Sequence, residues 1–330
     1  VWSDIVRISM SNSILATYGQ LVQTAWVYIA SGALWRLMQL RKGPVIAALY
    51  PVGMLLLQLL IAVLAGKLLY TTLTFFGGPA WFKGIVAALG VGLGWQVLRW
   101  FKKHDGKFYA YYLMHDYAFG AATRGANPPA LETRMTEFGD AIVQALKSDV
   151  DEVLVVGHSS GAHLGVSILA DLIRAGRVPA EGPKLAFMSL GQVVPMVSFL
   201  RDAHRLRADL RYLSRCVGLT WIDVTAPGDG CAFALCDPVA VSGVAPEDKR
   251  WPLVFSAAFT QSLTPARWKA LRWRFFRLHF QYLCAFDAPK DYDYFQITAG
   301  PHSLAERYAG RPASRSRIVK PVNKFTSTAP

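Results

Sequence analysis

Charge is scarce in this chain. Only 17% of its 330 residues are Asp, Glu, Lys or Arg, against about 25% in an average soluble domain. Acids are scarcest at the start. Residues 1–107 hold two acids, Asp4 and Asp105, against ten Lys or Arg, a balance of +8, and the remainder adds +5. Cysteine is also rare, with four residues, Cys216, Cys231, Cys236 and Cys284. That is too few for a disulfide-dense secreted miniprotein. The step from Cys231 to Cys236 matches no zinc-ligand spacing, so the four read as reduced thiols with no metal. A hydrophobic content of 53% excludes a disordered chain. No nucleic-acid motif accompanies the positive charge, so the surplus points to a membrane face rather than to DNA or RNA.

Two runs are nearly free of charge. From Pro44 to Gly66 there are 23 uncharged residues, which as a helix would span roughly 34 Å, enough for a hydrocarbon core of about 30 Å. More than forty residues precede this run and no small-residue cleavage site follows, which argues against a signal peptide. The second run, 81–101, is interrupted by Lys83 and Arg99 near its ends, where they can snorkel. Gly90, Gly92 and Gly94 allow another helix close to it, and Trp81, Phe82, Trp95 and Trp100 suit the two interfaces. Residues 1–106 are therefore expected to form a helical, membrane-associated region with a transmembrane hairpin at 44–66 and 81–101. A buried helical hairpin in a soluble protein is the competing reading. Arg36, Arg41 and Lys42 precede the pair and Lys102, Lys103 and Lys107 follow it, with Lys67 and Lys83 between. Both flanks are thus expected in the cytoplasm. Residues 13–40 read as one further helix.

From residue 107 the pattern alternates. Strands are expected at 107–114, 151–156, 184–190 and 217–224, and helices at 128–146, 160–176 and 201–215. This is an α/β region with a mainly parallel sheet, extending to about residue 304. The unbroken apolar run DEVLVV predicts a strand buried on both faces. Residues 305–330, rich in Pro, Ser and basic side chains, are expected to form a flexible tail.

One motif carries chemistry. DEVLVV leads into Gly157-His158-Ser159-Ser160-Gly161 and then a helical segment. A Gly-x-Ser-x-Gly is weak alone, but between a strand and a helix it has the context of a nucleophile elbow. There a sharp turn exposes the serine oxygen, and the Ser160 backbone N–H can serve a developing oxyanion. The chain here resembles the serine esterases and lipases of the α/β-hydrolase superfamily, specifically over 151–176, and more loosely poorly characterised bacterial membrane-associated members. The resemblance implies Ser159 as nucleophile, followed in chain order by an acid and a histidine. For the acid it offers Asp229, on a Pro/Gly turn, with Asp237 as alternate; Asp223 falls within a strand. For the base it offers His279, at the end of an apolar-aromatic run taken as the last strand, with His302 as alternate. His158 and His115 are expected to line the pocket, and His163 to sit there or on the helix. No cofactor is required.

One departure concerns the second oxyanion donor. Residues 1–12 are too short to supply the strand and loop that normally carry it. The expectation is either a strand preceding Val1 or a donor from the loop at 115–125. The basic, aromatic segment 264–279 is read as either a lipid-facing surface or a solvated helix face. Together these features predict a membrane-anchored serine hydrolase of carboxylic esters, with acyl lipids among the candidate substrates. Its catalytic domain would face the cytoplasm, with the bacterial inner membrane as its site. A non-catalytic module of the same fold and an acyltransferase are the alternatives.

Overall fold

The computed structural model describes residues 12–329. The expectations about residues 1–11 lie outside that range. Among the described residues the contacts divide the chain into two compact units, one comprising 12–26 and 48–122, the other 27–47 and 123–329.

The first unit is helical. The segment 13–40, which begins in this unit and continues in the second, forms two helices rather than one, α1 (Ile14–Ala30) and α2 (Ala33–Leu40). The break falls at Gly32, whose φ of 73° suits a residue without Cβ. α3 (Lys42–Leu73) and α4 (Ala80–Lys103) extend both apolar runs and are long and apolar enough to cross a membrane. Within the first unit, the two helices meet backbone to backbone. A Cβ at Gly66 would stand 2.5 Å from the Gly90 carbonyl oxygen, and one at Gly94 would stand 3.0 Å from that of Ala62. Leu55, Ala62 and Leu98 are buried there with Tyr111, Met114 and Ala118.

Those last three correct an expectation. Residues 107–114 form no strand; Ala110–Ala122 is a helix, α5. Its aromatic clustering favours a strand by composition, but Ala110, Tyr111, Met114, Ala118 and Ala121 are buried at spacings of three and four, which is a helical stripe. The expected loop at 115–125 is therefore mostly helix and offers no loop donor through residue 122.

The second unit holds the α/β fold. After α6 (Pro129–Ala145) come β1 (Glu152–His158), α7 (Gly161–Arg174), β2 (Lys184–Leu190), α8 (His204–Leu213), β3 (Leu219–Thr225) and β4 (Leu253–Ser256). The four strands are parallel in the order β1-β2-β3-β4. Such a parallel-sheet α/β fold is compatible with an α/β-hydrolase. β2 and β3 are almost wholly buried, as strands covered on both faces are. β1 is not: six of its seven residues are half-buried. With 107–114 helical, β1 lies at the sheet edge among the described residues. The last strand is β4 rather than 279–282, which form a helical end and a 3₁₀ turn.

The basic tail also departs from expectation. Ile318 N–H donates to Leu235 O at 2.7 Å and Asp237 N–H donates to Ile318 O at 2.9 Å. Buried Arg207 donates to the carbonyl oxygens of Ser198, Leu200, Arg201 and Ser327. Backbone groups fasten this segment, so its polar composition gives no sign of its attachment.

Candidate active site

The site is assembled at the carboxyl ends of the parallel strands, where open α/β sheets carry their ligands. β1 ends at His158, and Ser159 follows with φ of 55°. A serine held in this left-handed region is strained, which is the backbone state an elbow needs. Ser159 N–H donates to Leu190 O at 2.9 Å and its carbonyl accepts Ala162 N–H at 3.1 Å, so both backbone groups are fixed. α7 then starts at Gly161 with Ser160 at its cap. The Ser160 N–H has no acceptor among the described residues, leaving it available to an anion at the helix N-terminus.

The two motif glycines are not equivalent. A Cβ at Gly157 would stand 2.7 Å from Gly161 O and 2.9 Å from Ala162 Cα, whereas one at Gly161 would meet nothing within 4 Å. Close approach therefore demands the first glycine only. Gly157→Ala is expected to destabilise the chain by about 1–3 kcal/mol, while Gly161→Ala changes stability by less than about 0.5 kcal/mol. Thermal melting of the two variants checks this. Equal melting temperatures would contradict the reading.

Asp229 and His279 come together. After β3, Asp229 N–H donates to Ala226 O at 2.9 Å, closing a turn over Pro227 and Gly228. This raises the carboxylate to meet His279 Nδ1 at 2.7 Å. The same oxygen accepts the Tyr282 hydroxyl at 3.1 Å, and the other accepts Cys231 N–H at 2.9 Å. Asp229 and His279 are both buried. An Nδ1–H directed at a carboxylate leaves the lone pair on Nε2, the tautomer a general base requires. A Cβ at Gly191 would stand 3.1 Å from His279 Cε1. The imidazole thus lies against the residue after Leu190, whose carbonyl holds the Ser159 amide.

His158 supports this arrangement from the elbow side. Its Nε2–H donates to His279 O at 2.9 Å, and the two rings are 4.6 Å apart between centroids. Burial, then the neighbouring His279, pushes the His158 pKa down to about 4, so it is neutral at pH 7. His163 is buried within α7, and burial likewise lowers its pKa to about 4.

The other expected residues lie elsewhere. Asp237 caps a short helix through Val239 N–H and Ala240 N–H and pairs with Lys249 at 2.7 Å. His302 is exposed on a turn near Glu306. His115 belongs to the helical unit, where its Nδ1 lies 3.1 Å from Asn12 Nδ2 and 2.9 Å from Gln20 Nε2. Tyr282 and Cys231 are neighbours of the acid that the motif does not reveal. Tyr282 stands three residues past His279, a helical step that could have marked it. Cys231 stands two residues past the acid.

A concavity elsewhere on this unit opens at the amino-terminal ends of β2 and β3, lined by Ile173, Val178, Leu185, Tyr212 and Leu219. No histidine or serine lines it, in contrast to the strands' other ends.

Comparison of the chain with protein-family models, curated proteins and solved structures gives no match.

Proposed function

We propose that the chain is a membrane-anchored serine hydrolase of the α/β-hydrolase type, cleaving carboxylic esters through Ser159, His279 and Asp229. The observation that carries this reading is the serine at φ 55° on a strand-to-helix elbow, with a buried His–Asp pair at 2.7 Å beside the next strand. His279 Nε2 takes the Ser159 proton as Oγ attacks the ester carbonyl. Asp229 holds the imidazole and stabilises its cation, and the Ser160 N–H supports the oxyanion. The acyl-enzyme forms as the alcohol departs with the proton returned by His279. Water, deprotonated by the same imidazole, then releases the acid.

Two apolar helices support membrane anchoring, and the lysines and arginines flanking them support a cytoplasmic catalytic unit. Acyl lipids are the substrate class favoured by the surface around the base. Trp273, Phe275, Phe276 and Phe280 are exposed on the segment that carries His279, interleaved with Arg272, Arg274 and Arg277.

One observation favours the non-catalytic alternative. No hydrogen bond joins the Ser159 hydroxyl to His279 among the described residues, although such bonds often tighten only with substrate bound. The detergent-solubilised full chain, assayed on short-chain nitrophenyl esters, is expected to hydrolyse them with saturation, and Ser159→Ala is expected to lose the activity by at least about 10⁴-fold. Equal rates for the two proteins would refute the reading. Product analysis with an added alcohol separates hydrolysis from acyl transfer, since a transferase yields the new ester in place of the acid.

A further inference from the structure

The ligand-type atoms of Asp229, Cys231 and His279 all lie within 4.8 Å of one another, and among the described residues no other trio of such side chains comes this close. We propose that these three side chains bind a single zinc ion, and that the ion switches off the hydrolase. The binding stands on the geometry alone, whereas the switching rests on the proposed function.

The chemistry of the donors points to zinc. A carboxylate oxygen, a thiolate sulfur and an imidazole nitrogen form the mixed set that this borderline cation accepts, and the oxygen-preferring magnesium and calcium do not. One carboxylate and one thiolate also balance both charges of the ion. Bond lengths of about 2.0–2.3 Å in a tetrahedral site separate ligand atoms by roughly 3.5 Å. The Asp229–His279 contact of 2.7 Å must therefore open slightly. The sulfur closes by on the order of 1 Å, within reach of a side-chain rotation. Both ends are already anchored, Asp229 by its turn and the Cys231 N–H, His279 by the His158 bond to its carbonyl. Cys231 is only half-buried, which leaves an approach for the ion. On entry the thiol proton passes to solvent, and water takes the fourth position.

The consequence for catalysis follows from the imidazole. Zinc on Nδ1, the nitrogen facing Asp229, displaces the proton held there, and that proton passes through solvent to the Nε2 lone pair. The ring then has no lone pair with which to accept the Ser159 proton, and Asp229 is drawn to the ion.

The test is calorimetric titration of the chelator-stripped full chain with zinc chloride. One ion per chain is expected, with affinity reduced at least about 10-fold in Cys231→Ser, since even partners outside the ligand shell cost about 10–100-fold when lost. A cobalt(II) titration of the wild-type chain provides a readout that needs no variant to fold: thiolate ligation gives a near-ultraviolet sulfur-to-cobalt charge-transfer band. Absence of stoichiometric binding, unaltered affinity in a folded Cys231→Ser, or cobalt binding without that band would overturn the site. In parallel, ester hydrolysis should fall in proportion to zinc occupancy. Zinc held through Cys231 with an undiminished rate would overturn the switching. A chain that binds zinc through Cys231 yet hydrolyses nothing when stripped would instead refute the hydrolase reading and keep the site.

Discussion

Replacing His279 with Asn is expected to lower kcat for ester hydrolysis on the order of 10⁴-fold, whereas His302→Asn leaves it unchanged. Asn retains a donor that can face Asp229 but has no atom that accepts a proton at neutral pH. The hydrogen bond at 2.7 Å can thus survive while the base is lost. KM should change little, because the imidazole assists the transition state and contributes little to substrate binding. Asp229→Asn should approach the same loss by a different route. Its amide would present a donor to Nδ1 or force the ring to turn, spoiling the tautomer. His302 is exposed on a turn and faces Glu306, with no contact to the acid. Steady-state kinetics of the three variants measure all of this, and a large loss in His302→Asn with full activity in His279→Asn would reverse the assignment.

The second large effect concerns stability. Asp223 is fully buried in β3, its Oδ1 2.6 Å from Ser189 Oγ and its Oδ2 without a partner. Burial pushes its pKa up from 3.8 to about 8, with the Asp237 carboxylate adding to the rise and the Ser189 bond opposing it. The surrounding bonds fit a neutral acid. A protonated Asp223 donates to Ser189 Oγ, which also accepts Trp221 Nε1–H at 3.0 Å and donates to Ile222 O at 3.3 Å.

The sign of the pH dependence follows from linkage. Between about pH 4 and pH 8 the folded chain holds a proton that the unfolded chain has released. The stability contributed by this group is fully present below the unfolded pKa and is lost as pH rises through the folded one, at up to about 1.4 kcal/mol per pH unit. Asp223→Asn keeps the shape and the hydrogen bond without a titrating group. Its melting temperature should therefore exceed the wild type's by a margin that widens from pH 5 to pH 8 and then levels. The full difference is on the order of a few kcal/mol. Thermal melts of both proteins in detergent across that range check it. A margin that stays constant from pH 5 to pH 8 would mean that Asp223 is an ordinary ionised carboxylate.

What could be read from the chain depended on how local each signal is. The elbow is five consecutive residues between an apolar run and a helical pattern, so it is visible without any tertiary knowledge. The turn carrying Asp229 is similarly marked by Pro227 and Gly228 right after a strand. Chain order leaves both His279 and His302, and does not reveal the setting of His279. The apolar run around it suggests a strand, whereas Leu278, His279 and Tyr282 are buried from a short helix and a 3₁₀ turn. Cys231 is near the acid simply by being two residues along the chain, whereas the contact of Tyr282 with the acid depends on how segments some fifty residues apart pack together, of which only the helical step from His279 is a local sign.

Composition misleads in two further places. Aromatic residues at 107–114 favour a strand by propensity, yet their spacing buries one helical face, and tertiary packing overrides the preference. With that strand gone, β1 is left at the edge of the sheet and only half-buried, although its apolar run suits an interior strand. Residues 305–330 are polar enough to suggest disorder, but backbone bonds need no apolar side chains, and Ile318, Val322 and Ser327 are held by them.

The most direct test of the central claim is to treat the solubilised chain with a fluorophosphonate and locate the adduct by peptide mass spectrometry. The account predicts a single stoichiometric phosphonyl group on Ser159, with labelling abolished when the chain is unfolded beforehand. An unlabelled native chain, or an adduct on any other residue, would contradict it.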